Sequence, residues 1–168
     1  MEQIGRIGTR KIYYVQIRNN SEWKNTLPEK DWIAFTIANN EDQELVPPMV
    51  KKCIDKNVSY TCSAGKYAQM TEEFFDEEIS WRRVEDEVKS KNEFDYEFSL
   101  VTTSHRNFGK GFWFAATLAN GNKFEIDKII CIDLTKRKVK THLKELIEKI
   151  NSGWLPSDNE IELAQYDK

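Results

Sequence analysis

Four strand-like runs, Trp32–Ile37, Ser59–Cys62, Phe98–Thr103 and Ile129–Leu134, are each followed by a stretch that can form a helix. Parallel strands need a crossover of a dozen or more residues, usually a helix, so this alternation predicts a mostly parallel sheet with helices on its faces. The unbroken apolar character of Trp32–Ile37 suits a strand covered on both sides. At 168 residues the chain is long enough for a core that needs neither disulfide nor metal. The expected fold is therefore α/β: a three-layer, Rossmann-like domain over residues 1–156, followed by an acidic, loosely held tail over 157–168. The β-rich segment Arg10–Ile17 precedes any βαβ unit and is expected as an extra edge strand. Among the four principal strands the expected order is 2-1-3-4.

Helical spacing is clearest near the end of the chain. Val139, Leu143, Leu146, Ile147 and Ile150 form one apolar stripe, Asn151-Ser152-Gly153 offers a left-handed stop, and Trp154 can pack back on the last turn. Earlier, Pro47 and Pro48 suit a helix start, Leu45, Met49, Cys53 and Ile54 share a stripe, and Asn57 closes it. Tyr67, Met70 and Phe74 begin a further helix that buries an aromatic face, while Ile79–Val84 reads equally as continuing helix or extended connection. Residues 112–119 carry two readings. The Asn120-Gly121 pair after them is a strong hairpin signal, but the alanines favour helix, and Asn-Gly also serves as a helix end.

Cys53, Cys62 and Cys131 are odd in number, widely spaced and set in apolar runs, which reads as buried thiols in a reducing cytoplasm and excludes a zinc site by spacing. No apolar stretch has the length of a signal peptide or a membrane span, so a membrane role is not expected. Net charge is only −3, which leaves nucleic acid an unexpected partner. The aromatic and basic residues Tyr13, Tyr14, Arg10 and Lys11 read as a strand face rather than a stacking platform. Charge is uneven, however. The segment 72–97 is strongly acidic, and Glu73, Glu77 and Glu87 on its helical part are candidates for docking a protein partner in a regulatory or immunity-like module. Asp76-Glu77-Glu78 are adjacent on a helix and point apart, so no metal site is expected there.

The carboxyl ends of parallel strands are where open α/β sheets bind ligands. Asn39 and Asn40, Ser63 and Gly65, and Thr103, Ser104 and His105 stand at three such ends, and they are the candidate ligand-binding residues. Cys62-Ser63-Ala64-Gly65-Lys66 lacks the first glycine of a phosphate loop and has Tyr67 where Ser or Thr would hold magnesium. Ser63 can still cap the next helix, and Gly65 allows a close backbone approach. His105 lies just before Asn107-Phe108-Gly109-Lys110-Gly111, so an imidazole, hydroxyls and a cation share one loop. No nucleophile elbow surrounds Ser104, and a hydrolase or transferase using His105 ranks below simple binding. The leading expectation is a binding domain for a small anionic or nucleotide-like ligand, with no cofactor.

Asp31-Trp32-Ile33-Ala34-Phe35, Cys62-Ser63-Ala64-Gly65, Phe75-Asp76-Glu77-Glu78-Ile79, Gly111-Phe112-Trp113-Phe114-Ala115, Ile130–Thr135 and Asn151–Pro156 together resemble a family of uncharacterised bacterial proteins. The resemblance spans about residues 31–156. It implies a bacterial, cytosolic, single-domain protein and carries no activity, substrate or catalytic residue with it.

Overall fold

A computed structural model describes residues 1–17, 21–90, 100–120, 126–136 and 138–157, the side chains of 21 and 86–90 excepted. Phe98, Gly121, the Glu87 side chain and the tail from residue 158 therefore lie outside the described residues. Six strands form one sheet: β1 (Glu2–Ile7), β2 (Arg10–Gln16), β3 (Ile33–Ile37), β4 (Tyr60–Ala64), β5 (Val101–His105) and β6 (Lys128–Asp133). The spatial order is β1-β2-β6-β3-β4-β5; β1 and β2 are antiparallel, and every other neighbouring pair is parallel. The α-helices are α1 (Val46–Asp55), α2 (Ala68–Ser90), α3 (Phe108–Thr117) and α4 (Val139–Asn151), with 3₁₀ segments at Ser21–Asn25 and Asn40–Leu45.

Two expectations are corrected here. The four principal strands run 4-1-2-3 rather than 2-1-3-4, because β6 crosses back to lie beside β3. Burial explains the choice. Ile129, Ile130, Cys131 and Ile132 are fully buried, which requires a central strand, whereas every residue of Val101–His105 is only partly buried, as at an edge. Likewise Arg10–Gln16 is not the edge strand. It pairs in parallel with β6, and the edge is β1, joined to β2 through a turn at Gly8-Thr9.

Along β3 and β6 successive side chains enter two different hydrophobic clusters, while the apolar residues of β4 all enter the first. Ile33, Phe35, Cys62, Ile129 and Cys131 join Phe108, Phe112, Leu143 and Leu146 of α3 and α4. Ala34, Ile130 and Ile132 instead join Met49 and Val50 of α1 and Phe75 of α2. Phe35 sits edge-on to both Phe108 and Phe112, at 5.4 and 5.3 Å.

The helix ends follow from local chemistry. Prolines occupy the first positions of α1, and Asn57 beyond it takes φ +47°. The stretch 79–84 continues α2 as helix. Residues 112–117 belong to α3, which settles the hairpin alternative in favour of helix. The Asn107 side chain accepts the Lys110 N–H at 2.9 Å and caps the start of α3. At the other end, the buried Arg10 guanidinium donates to the Ala115 carbonyl at 2.7 Å, to the Ala119 carbonyl and to Asn120 Oδ1. Trp154 follows Gly153, and its N–H returns to the Lys149 carbonyl at 3.0 Å, closing α4.

Candidate functional site

β3 leads into α1 and β6 leads into α4, and these helices pack in the two different clusters although the strands are neighbours. Chains leaving adjacent parallel strands toward opposite faces open a crevice beyond the carboxyl ends. Ile37 is in register with Asp133 there. The switch point therefore lies on the side of β3 away from β4, as the 2-1-3-4 order implies, but the strand across it is β6 rather than β5, and Thr103, Ser104 and His105 on β5 are left at the far edge of the sheet.

The residue that anchors this end of the sheet stands outside the candidate ligand-binding set, in the strand end Asp133-Leu134-Thr135. Asp133 is fully buried. One carboxylate oxygen accepts the Thr135 N–H at 2.8 Å and the Thr135 hydroxyl at 2.7 Å; the other accepts the Tyr14 hydroxyl at 2.6 Å and the Gln16 amide at 3.4 Å. Burial pushes its pKa above the ordinary carboxylate value and the buried Asp42 carboxylate adds to that, while the bonds from Tyr14 and Thr135 pull it back. With both oxygens engaged inside the protein, Asp133 fastens the ends of β2 and β6 to the following loop. Its trace in the sequence is an acid ending an otherwise apolar strand, with a threonine two residues on, the pattern of an Asx turn. Asp42, in the 3₁₀ segment after β3, accepts the Asn39 N–H at 3.2 Å.

The candidate ligand-binding residues divide into groups. Asn39, half-buried, and Asn40, exposed, follow β3. Gly65 stands beside them at φ +95°, a backbone region costly for residues with a Cβ, and a Cβ there would come 3.1 Å from the Ala38 carbonyl and 3.8 Å from Asn39 Oδ1. Ser63 is fully buried, takes a hydrogen bond from the Thr36 hydroxyl at 3.0 Å, and lies well before the first residue of α2 rather than at its cap. On β5 the side chains alternate. Ser104 turns toward α2 and donates to Glu72 at 2.5 Å. Thr103 donates to the Thr61 carbonyl at 3.1 Å. His105 turns toward α3, with its ring 5.0 Å from Phe114 and its Cβ only 2.7 Å from where a Cβ on Gly111 would sit. Ser104 and His105 thus leave opposite faces of the sheet and form no nucleophile–base pair. His105 Nε2 is buried without a hydrogen-bond partner among the described residues. Burial, reinforced by the Lys110 ammonium, holds its pKa below the usual imidazole value.

Parallel strands bring all their following loops to one edge of the sheet. Lys66 after β4, Arg106 and Lys110 after β5, and Lys136 and Lys138 after β6 are all exposed, and so is the acid Glu41 after β3. These cations are scattered in the sequence; the parallel topology gathers them. No cluster of three or more His, Cys, Asp or Glu side chains among the described residues is arranged to hold a metal ion. Of the partner-docking candidates, Glu73 and Glu77 are exposed on α2, and Glu73 accepts a bond from Gln69 at 3.1 Å.

A family model for a domain of unknown function, DUF7684, matches residues 12–150. The chain belongs to the DUF7684 family. The match begins inside β2 and ends with Ile150 in α4, so it takes in the whole parallel sheet and the loops at its carboxyl edge, while β1 falls outside it. No curated protein and no solved structure matches the chain. A DUF7684 assignment names no substrate, which leaves the geometry of the carboxyl edge as the guide to function. Among the described residues no helix is long and apolar enough to cross a membrane.

Proposed function

We propose that this DUF7684 domain binds a small anionic ligand, of the nucleotide or sugar-phosphate class, beyond the carboxyl ends of its parallel strands. The observation that carries the reading is the set of exposed cations, Lys66, Arg106, Lys110, Lys136 and Lys138, supplied by the segments that follow the parallel strands β4, β5 and β6. Cations converging on one edge create a positive field that attracts phosphate and supply charge-assisted hydrogen bonds to it. Asn39, Asn40 and Gly65 offer the polar side chains and close backbone that orient a ligand beside that field. Asp133 and Asp42 keep the β3 and β6 ends in place. Three buried free thiols, Cys53, Cys62 and Cys131, support a cytoplasmic home for such a binder.

Thermal-shift measurement against a panel of nucleotides and sugar phosphates tests the reading. A true ligand at about 100 times its Kd adds about 2.7 kcal/mol, which for a chain of this size raises Tm by about 5–10 °C. Joint replacement of Lys66 and Lys136 by Ala should remove most of that shift while leaving the unliganded Tm within about 2 °C, since both side chains are exposed. A panel without any stabilising anion, or a stabilisation that survives in the double variant, overturns the proposal.

A further inference from the structure

The outward face of α2 has a composition that its own fold does not use. Trp81, Val84 and Met70 are 68, 53 and 42 % exposed, the exposed large hydrophobic side chains among the described residues of this helix. Their spacing of eleven and three residues puts all of them on one stripe of a 3.6-residue helix, and Glu77 falls on the same stripe with Glu73 beside it. Ser104 and Thr102 engage Glu72 and Asp76 on a different side of α2, so that side is committed to β5. Tryptophan is among the side chains most enriched at the energetic centres of protein interfaces.

Beside this stripe a groove runs between α1 and α2, lined by Lys51, Asp55, Glu78, Trp81, Arg82 and Glu85. Its cations are already engaged within the protein. Arg82 reaches Asp55 at 2.8 Å and Glu78 at 2.9 Å, and Lys51 lies 4.0 Å from Glu78. Groove and stripe together hold the acids Glu73, Glu77, Glu78, Glu85 and Asp55 against Lys51 and Arg82, so the surface is apolar at its centre and negative around it.

We propose that this face of α2 docks an amphipathic helix of a partner protein whose apolar stripe is flanked by Lys and Arg. The sign of the charge selects this occupant over the others. Two copies of the chain packing α2 against α2 about a two-fold axis would bring acid against acid, and an anionic membrane surface would be repelled in the same way. A basic helix meets complementary charge at the rim and places its apolar residues on Trp81, Val84 and Met70. This surface stands apart from the carboxyl-edge site, and either can fail without the other.

Selection from a displayed library of helical peptides, with sequence composition left free, tests the docking directly. Peptides are selected on the wild-type protein and counter-selected on Trp81→Ala. The enriched sequences should carry apolar residues at i, i+3, i+4 and i+7 with Lys or Arg beside them. For such a peptide Trp81→Ala should weaken binding by at least tenfold, and Glu73→Lys with Glu77→Lys should do the same. Raising salt from 50 to 500 mM should weaken it further. All three substituted positions are exposed, so circular dichroism and Tm of the variants should match wild type. Failure to enrich any peptide that distinguishes wild type from Trp81→Ala overturns the proposal, as does enrichment of acidic or uncharged sequences. Sedimentation showing a dimer that Trp81→Ala dissociates would assign the face to self-association instead.

Discussion

His105 shows how a residue can be legible as a candidate and still differ in its chemistry from expectation. As a lone histidine before a glycine-flanked loop it reads as a group that charges near pH 6.5. In the fold its ring is wedged against Phe114 and Gly111, and burial with Lys110 nearby depresses its pKa below 6.5. A depressed pKa means that the folded state binds the proton less well than the unfolded chain. The associated stability is complete above about pH 6.5 and is lost as pH falls through the lower folded value. His105→Gln should therefore flatten the loss of unfolding free energy below pH 6.5 in urea titrations; a slope equal to that of wild type would contradict the assignment. Asp133 acts with the opposite sign, because its pKa is raised: its contribution is largest below the ordinary 3.8 and declines as pH rises through the folded value. Neither effect is readable from the sequence, since burial is the first cause of each shift and burial is set only when helices and strands pack over these strand ends.

At the scale of elements, helix positions were the most legible feature. The stripe from Val139 to Ile150, the prolines in the first turn of α1 and the glycine after α4 are local signals, and local signals survive folding. The strand order was less so, although the clue was present: Lys128–Asp133 is far more apolar than Val101–His105, and weighing that contrast assigns β6 to the centre and β5 to the edge. β1 went unread because Glu2–Ile7 is short of apolar residues, as an edge strand can afford to be. The stop of α3 is signalled by the Asn120-Gly121 pair, but its cap is not, since that is Arg10, more than 100 residues earlier in the chain. Arg10 is 7 % exposed, so its bonds to α3 are little weakened by water. Arg10→Met should leave the final carbonyls of α3 unsatisfied and lower the unfolding free energy by about 2–3 kcal/mol, with Arg10→Lys recovering part of it. Urea midpoints at constant m-value measure this; a loss below about 0.5 kcal/mol would show that the cap contributes nothing.

For the whole molecule, the parallel sheet turns isolated residues into a shared edge. Lys66, Arg106, Lys110, Lys136 and Lys138 span 73 positions of sequence, and nothing in their local motifs joins them. The crossovers place the loops after β4, β5 and β6 at one end, and the return of β6 beside β3 sets the switch point next to Asn39 and Gly65. The candidate residues were thus partly legible: Asn39, Asn40 and Gly65 fall together at this end, whereas Ser63 is sealed against Thr36 and Ser104 is turned to Glu72. Alternation along a strand decides those last two, and it becomes meaningful only once the neighbours of each strand are in place. The claim that the carboxyl edge is an anion-binding site is tested most directly by titrating ADP and glucose 6-phosphate into ¹⁵N-labelled protein and mapping the amide shifts. Saturable shifts centred on residues 39–40, 65–66, 106–110 and 135–138 are the predicted result. Shifts confined to other surfaces, or none from either ligand at millimolar concentration, would contradict it.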